Sequence, residues 1–121
     1  EDRFRFHVEL DLGSIADTTI AFTSLGGTEV SRTGSDILAG FREGDHYYDE
    51  NAPAGLWSFT GTKGLTVAQA FDNADFEYAW VYSYPVTLNE LEAEIWTPKL
   101  PLEPGQSRTF THTLTVSSTE E

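Results

Sequence analysis

"RFRFHVELDL" (residues 3–12) decides the fold class. Phe4, Phe6, Val8, Leu10 and Leu12 alternate with Arg3, Arg5, His7, Glu9 and Asp11. A period of two puts the apolar side chains on one face and the charged ones on the other, the pattern of a half-buried β-strand. Wound as a helix, the same residues would scatter charge around the whole circumference and leave no stripe to bury.

The same period recurs downstream. "TTIAFTSL" (18–25) is rich in β-branched residues and stops at Gly26-Gly27, a hairpin turn signal, with "TEVSRT" (28–33) as the return strand. "DILAGF" (36–41) is a weaker strand candidate. "LWSFTGT" (56–62) and "LTVAQAF" (65–71) flank Lys63-Gly64 as a second hairpin, and "FEYAWVYSY" (76–84) is a further strand. "ELEAEIW" (90–96) contains good helix formers, but the alternation of Glu90, Glu92 and Glu94 with Leu91, Ala93 and Ile95, between Pro85 and Pro98, favours a strand. "SRTFTHTLTVSS" (107–118) is the last strand, reached through a type II turn with Pro104 and Gly105 at its centre. Residues 118–121 read as a frayed tail. Eight or nine strands without helical crossovers must pair mainly antiparallel. The expected fold is an all-β, antiparallel two-sheet β-sandwich spanning 1–121 as one domain, with jelly-roll and immunoglobulin-like topologies both open.

Composition narrows the function classes. The chain has 121 residues, 39% apolar and 13% aromatic, which suits one globular domain. No apolar run approaches the roughly 18 residues that a membrane-spanning helix needs. The N-terminus lacks the basic and apolar regions of a signal peptide, so none is expected in this form. A start without Met fits a mature chain or one domain of a larger protein. Without Cys or Met, thiolate copper, Cys-based zinc and iron–sulfur sites are excluded. Twenty Asp and Glu against seven Lys and Arg give a net charge of -13. Such a surface repels phosphate backbones and anionic lipid, so neither nucleic acid nor membrane insertion is expected. The carboxylate excess matches proteins of salt-loving organisms as well as acidic domains that are secreted or on the cell surface.

Three stretches carry candidate sites. "GDHYYDENAPAG" (44–55) is expected to be a solvated acidic loop. Its functional alternative is calcium, with oxygen ligands from Asp45, Asp49, Glu50 and Asn51, at a spacing that is not that of an EF-hand. A second acidic cluster, "FDNADFE" (71–77), with Asp72, Asn73, Asp75 and Glu77, is expected to be a solvated loop in which Asn73 serves a plain turn. In 76–84, Phe76, Tyr78, Trp80, Tyr82 and Tyr84 share one face. The expected place for that stripe is the inner face of a sheet, with the Tyr82 and Tyr84 end at an exposed rim. The alternative is a platform on which sugar rings stack, from Tyr47, Tyr48, Trp57, Trp80, Tyr82 and Tyr84.

The remaining ionisable groups give weaker signals. His7, His46 and His112 lie in three different segments with no H-x-H or H-x-x-x-H pair, which argues against zinc. His112 reads as a core or rim residue. Glu92 and Glu94 share a strand face that is expected to be solvated, and paired carboxylates are also what glycoside hydrolysis uses.

The segment "NELEAEIWTPKLPLEPGQSRTFTHTLTV" (89–116) resembles the closing hairpin of galactose-mutarotase-like supersandwich proteins. Leu91, Glu92, Glu94, Leu102, Pro104, Gly105, Gln106 and Ser107 carry the likeness. The same turn pattern is similar to that closing many immunoglobulin-like secreted domains. The resemblance implies a β-sandwich with sugar-handling relatives, and no active site is carried over. The expected function is a non-catalytic carbohydrate-binding module of a secreted or cell-surface protein. The alternatives are a structural or adhesion domain of an extracellular assembly, and a small carbohydrate-active lyase or epimerase using His46 with acidic partners.

Thermal unfolding at low and molar salt, with chelator and then with calcium, separates the two readings of residues 44–55. A solvated loop predicts a midpoint that climbs with any salt and ignores calcium. A midpoint raised by millimolar calcium alone marks specific binding, because a ligand of the native state stabilises it by mass action.

Overall fold

A computed structural model describes residues 3–38, 44–84, 90–99 and 103–118. It contains β1 (Arg5–Leu10), β2 (Thr19–Thr23), β3 (Glu29–Thr33), α1 (Gly34–Leu38), β4 (Asp45–Tyr48), β5 (Leu56–Thr60), β6 (Leu65–Phe71), β7 (Tyr78–Tyr84), β8 (Glu90–Trp96) and β9 (His112–Ser118). One sheet runs β1-β8-β7-β4 and the other β3-β2-β5-β6-β9, with every pairing antiparallel. Apolar side chains from both sheets form a single core, so the molecule is a β-sandwich. β1 and β2 lie in different sheets, whereas an immunoglobulin constant domain pairs its first two strands.

The local turn chemistry explains the hairpins. β2 and β3 close over Gly26-Gly27, where Gly27 has φ +88°, and β5 and β6 close over Gly64 at φ +79°. Gln106 N–H donates to the Glu103 carbonyl at 3.0 Å and Gly105 sits at φ +88°, as a type II turn requires.

Four expectations are corrected. Residues 36–38 are not strand but the end of α1, where Asp36 Oδ2 reaches back to accept the Thr33 backbone N–H at 2.9 Å, one half of a capping box. The rest of that stretch, 39–41, lies outside the described residues. "DHYY" is not loop but β4, an edge strand paired to β7, followed by a single 3₁₀ turn at Asp49–Asn51. Gly44 makes that pairing possible: it has φ +61°, and a Cβ there would fall 2.2 Å from the Val81 carbonyl oxygen. The stretch 89–116 is not a hairpin, since β8 pairs with β1 and β7 while β9 pairs with β6. Finally, the last strand starts only at His112 and includes Ser118, while 119–121 lie outside the described residues.

The core pairs bulk with thinness. Trp57, Phe59, Ile20 and Phe22 come from the five-stranded sheet, and Ala79, Val81, Leu91, Ala93 and Ile95 from the four-stranded one. Trp57 is 0% exposed and its indole N–H donates to Gln69 Oε1 at 2.7 Å. An indole nitrogen can only donate, so Gln69 must turn its Nε2 away from it, toward His112 Nδ1 at 2.8 Å. His112 is therefore neutral with Nδ1 accepting, its ring stacked on Phe6 at 4.0 Å. Leu114 and Val116 on β9 share a face with their β6 partners Gln69 and Val67, yet stay exposed on this outermost strand of the larger sheet.

Two predictions arise from this relay. Gln69→Leu leaves a buried indole N–H without an acceptor and should cost about 1–3 kcal/mol by urea denaturation. Burial lowers the pKa of His112 below its ordinary 6.5. Between the two values the unfolded chain holds the extra proton, so stability should fall as pH drops through the unfolded value and level off below the folded one. His112→Ala should flatten that part of the profile, read as urea midpoints from neutral pH to mild acid.

Candidate functional site

The outer face of the four-stranded sheet gathers most of the chain's chemistry. On β8, Leu91, Ala93 and Ile95 enter the core, so Glu92, Glu94 and Trp96 point outward. Antiparallel partners share a face. The register Tyr78↔Trp96, Trp80↔Glu94 and Tyr82↔Glu92 therefore turns the aromatic side of β7 outward, with Ala79 and Val81 inward. This overturns the expectation that the stripe is an inner face. Phe76 is the exception: it precedes β7 and packs in the core against Phe6, Phe71 and Phe110. β1 adds Arg5, His7 and Glu9 beyond β8, and β4 adds His46 and Tyr48 beyond β7.

Glu92 and Glu94 face outward but are not solvated, being 2% and 0% exposed. Neighbouring rings and Arg5 occupy the space around Glu94, and donors satisfy both its oxygens. Oε2 accepts from Arg5 Nη1 at 2.9 Å and from the Tyr82 hydroxyl at 2.6 Å, and Oε1 accepts from Trp96 Nε1 at 2.9 Å. Glu92 Oε2 lies 2.6 Å from His7 Nε2. Buried charge persists only when paired and hydrogen-bonded in this way.

The aromatic half of the face is held ring against ring. Tyr48 stacks on Tyr78 at 5.9 Å, His46 on Trp80 at 5.1 Å, and Trp80 meets Tyr82 at 4.1 Å. Tyr78 stands edge-on to Trp96, over which the Arg5 guanidinium lies at 5.5 Å. His46 Nδ1 is hydrogen-bonded to the Tyr78 hydroxyl. Burial first, then the charge of Glu94, raises the Tyr78 pKa. Two shallow depressions meet here. One of about 240 Å³ is lined by Arg3, Tyr78, Trp80 and Trp96, the other of about 270 Å³ by Arg3, Tyr48, Asp49, Glu77 and Tyr78. Arg3 joins them and is itself bound to Glu77 at 2.8 Å. A larger depression of about 490 Å³ on the five-stranded sheet is lined by Ala21, Leu56, hydroxyl side chains and a single carboxylate, Glu29, with no convergent ionisable set.

The other candidate residues are dispersed. Tyr47 faces inward against Phe22 and donates its hydroxyl to Asp45 Oδ2 at 2.6 Å. Asp45 is also gripped by Arg32, through Nε at 2.8 Å and Nη2 at 3.3 Å. Burial pushes its carboxyl up, but the Arg32 and Tyr47 hydrogen bonds with the Arg32 charge outweigh that and hold it below the usual carboxylate range. Burial, then Asp45, raises the Tyr47 phenol far above its ordinary value. Asp49, Glu50 and Asn51 sit exposed on the 3₁₀ turn, and Asp45 is taken by Arg32, so the four proposed calcium ligands do not converge. Trp57 is a core residue and offers no ring to a ligand, which removes it from the stacking set. The Tyr84 side chain lies outside the described residues. Of the second acidic cluster, Asp72 caps the Ala74 N–H, Asn73 holds the Pro53 carbonyl, Asp75 pairs with Arg108 and Glu77 with Arg3.

Trp96, Arg3 and His7 were not singled out as binding groups by sequence, and Tyr78 only as a member of the aromatic stripe, although His7 and Glu9 form an H-x-E on the polar face of the first strand. His46 does not approach Glu92 or Glu94: Trp80 stands between it and Glu94 in the register. The chain matches no family model, no curated protein and no solved structure.

Tyr82→Phe removes one of three donors from a buried carboxylate. The expected loss is about 1–3 kcal/mol in chemical denaturation, with the strand content by circular dichroism unchanged.

Proposed function

We propose that the chain is a non-catalytic carbohydrate-binding module of a secreted or cell-surface protein, with its binding face on the outer side of the four-stranded sheet. The observation that carries this reading is the run of part-exposed rings Tyr48, Tyr78, Trp80 and Trp96 beside two contiguous depressions. Sugar rings present flat C–H faces that pack on aromatic surfaces, and their hydroxyls seek polar groups at the rim. Arg3, Glu77 and Asp49 stand at that rim. The rings brace one another, so little side-chain freedom is lost on binding. The net charge of -13 favours neutral over polyanionic glycans.

The non-catalytic part rests on Glu94 and Glu92. A carboxylate already accepting from three donors is a poor general acid or base, and Glu92 is closed over by His7.

A glycan array followed by calorimetry on the best neutral oligosaccharide tests the reading. Trp80→Ala and Trp96→Ala should each weaken binding about tenfold or more, in line with the worth of a ring at a contact centre. Trp57→Phe should leave affinity unchanged. Absence of any glycan ligand, or binding indifferent to Trp80 and Trp96, contradicts the proposal and leaves the face as a protein contact.

A further inference from the structure

We propose that His7, Glu9 and Glu92 form a binding site for one divalent first-row transition metal ion, such as zinc, on the outer face of β1 and β8. His7 and Glu9 alternate on β1 and so share that face, and Glu9 is the direct cross-strand partner of Glu92. One ligand atom from each lies within 4.8 Å of the others, the single such group among the described residues.

Two physical points favour a cation here. First, Glu92 is 2% exposed, and among the described residues its only side-chain partner is His7. Its second oxygen, Oε1, accepts from none of them, in contrast to Glu94 two positions on, whose oxygens are both taken. A buried carboxylate oxygen without a donor is costly, and Glu92 belongs to the cluster. Second, Glu9 and Glu92 are like charges directly opposite on adjacent strands, an arrangement that destabilises a sheet unless a cation intervenes. Arg5, the nearest arginine on this face of β1, is committed to Glu94.

The donor set chooses the class of ion. One imidazole and two carboxylates suit zinc, cobalt, iron or manganese better than calcium, which prefers six to eight oxygens. Ligand bonds near 2.0–2.2 Å put adjacent donor atoms about 3–3.4 Å apart. Rotation of the His7 ring, whose side chain is 29% exposed, supplies the small widening needed. The site is independent of the glycan reading, since none of its residues lines the aromatic depressions.

The test is titration of the chelator-treated full chain with cobalt(II), followed by its visible d–d absorption, and with zinc by calorimetry. The expected result is one saturable equivalent, not displaced by calcium at the same concentration, and weakened about tenfold or more by His7→Ala and by Glu9→Gln. Both positions are exposed, so the variants should keep the wild-type circular dichroism, and buried Glu92 need not be altered. No saturable equivalent, equal competition by calcium, or affinity unchanged in both variants overturns the proposal and leaves His7 and Glu92 as a bare ion pair.

Discussion

Two carboxylates on β8 set the orientation of the four-stranded sheet. An ionised carboxylate in the apolar core, away from a partner, carries a desolvation cost that no neighbouring apolar burial offsets. Glu92 and Glu94 therefore take the outward side, and the antiparallel register carries Tyr78, Trp80 and Tyr82 with them. The rings then cover the carboxylates from above. The acids end up buried on the outside of the sandwich, Glu94 held by Arg5, Tyr82 and Trp96, and Glu92 by His7 through one oxygen.

That choice also shapes the interior. With Tyr78, Trp80, Tyr82 and Trp96 turned out, β7 and β8 offer Ala79, Val81, Leu91, Ala93 and Ile95 to the core, opposite Trp57, Phe59, Ile20 and Phe22. The sandwich thus has two polar layers on one side of the same sheet: an acidic strip along β1 and β8 and an aromatic one along β7 and β4. Each of the two functional proposals rests on one of these layers.

The strands were legible because a period of two is a local property. β1, β2, β5, β6 and β8 lie inside or on the bounds read from alternation and turn residues. Which side of β7 faces inward was not local. Five rings on one side of an isolated strand look like core, and only pairing with "ELEAEIW" reverses the reading. The same holds for β4: "DHYY" has no apolar alternation and becomes a strand because β7 offers an edge. α1 was misread for a different reason, since the Asp36 carboxylate bonding back to Thr33 outweighed a short apolar run. Trp57 was separable from Trp80 in principle, because Trp57 and Phe59 share the apolar side of their strand while Leu56 and Ser58 share the other. The His7–Glu9–Glu92 group joins the first strand to the eighth, a pairing that no spacing within either segment encodes.

The most direct check of this account is ¹⁹F NMR of the chain labelled with fluorotryptophan, with a paramagnetic probe added to the solvent and resonances assigned by single Trp→Phe variants. An outward aromatic side of β7 predicts strong broadening of the Trp80 and Trp96 signals and none for Trp57, which is 0% exposed. A Trp80 signal as protected as that of Trp57 would mean that the aromatic side of β7 is core. The outward carboxylates, and both sites built on that face, would then be wrong together.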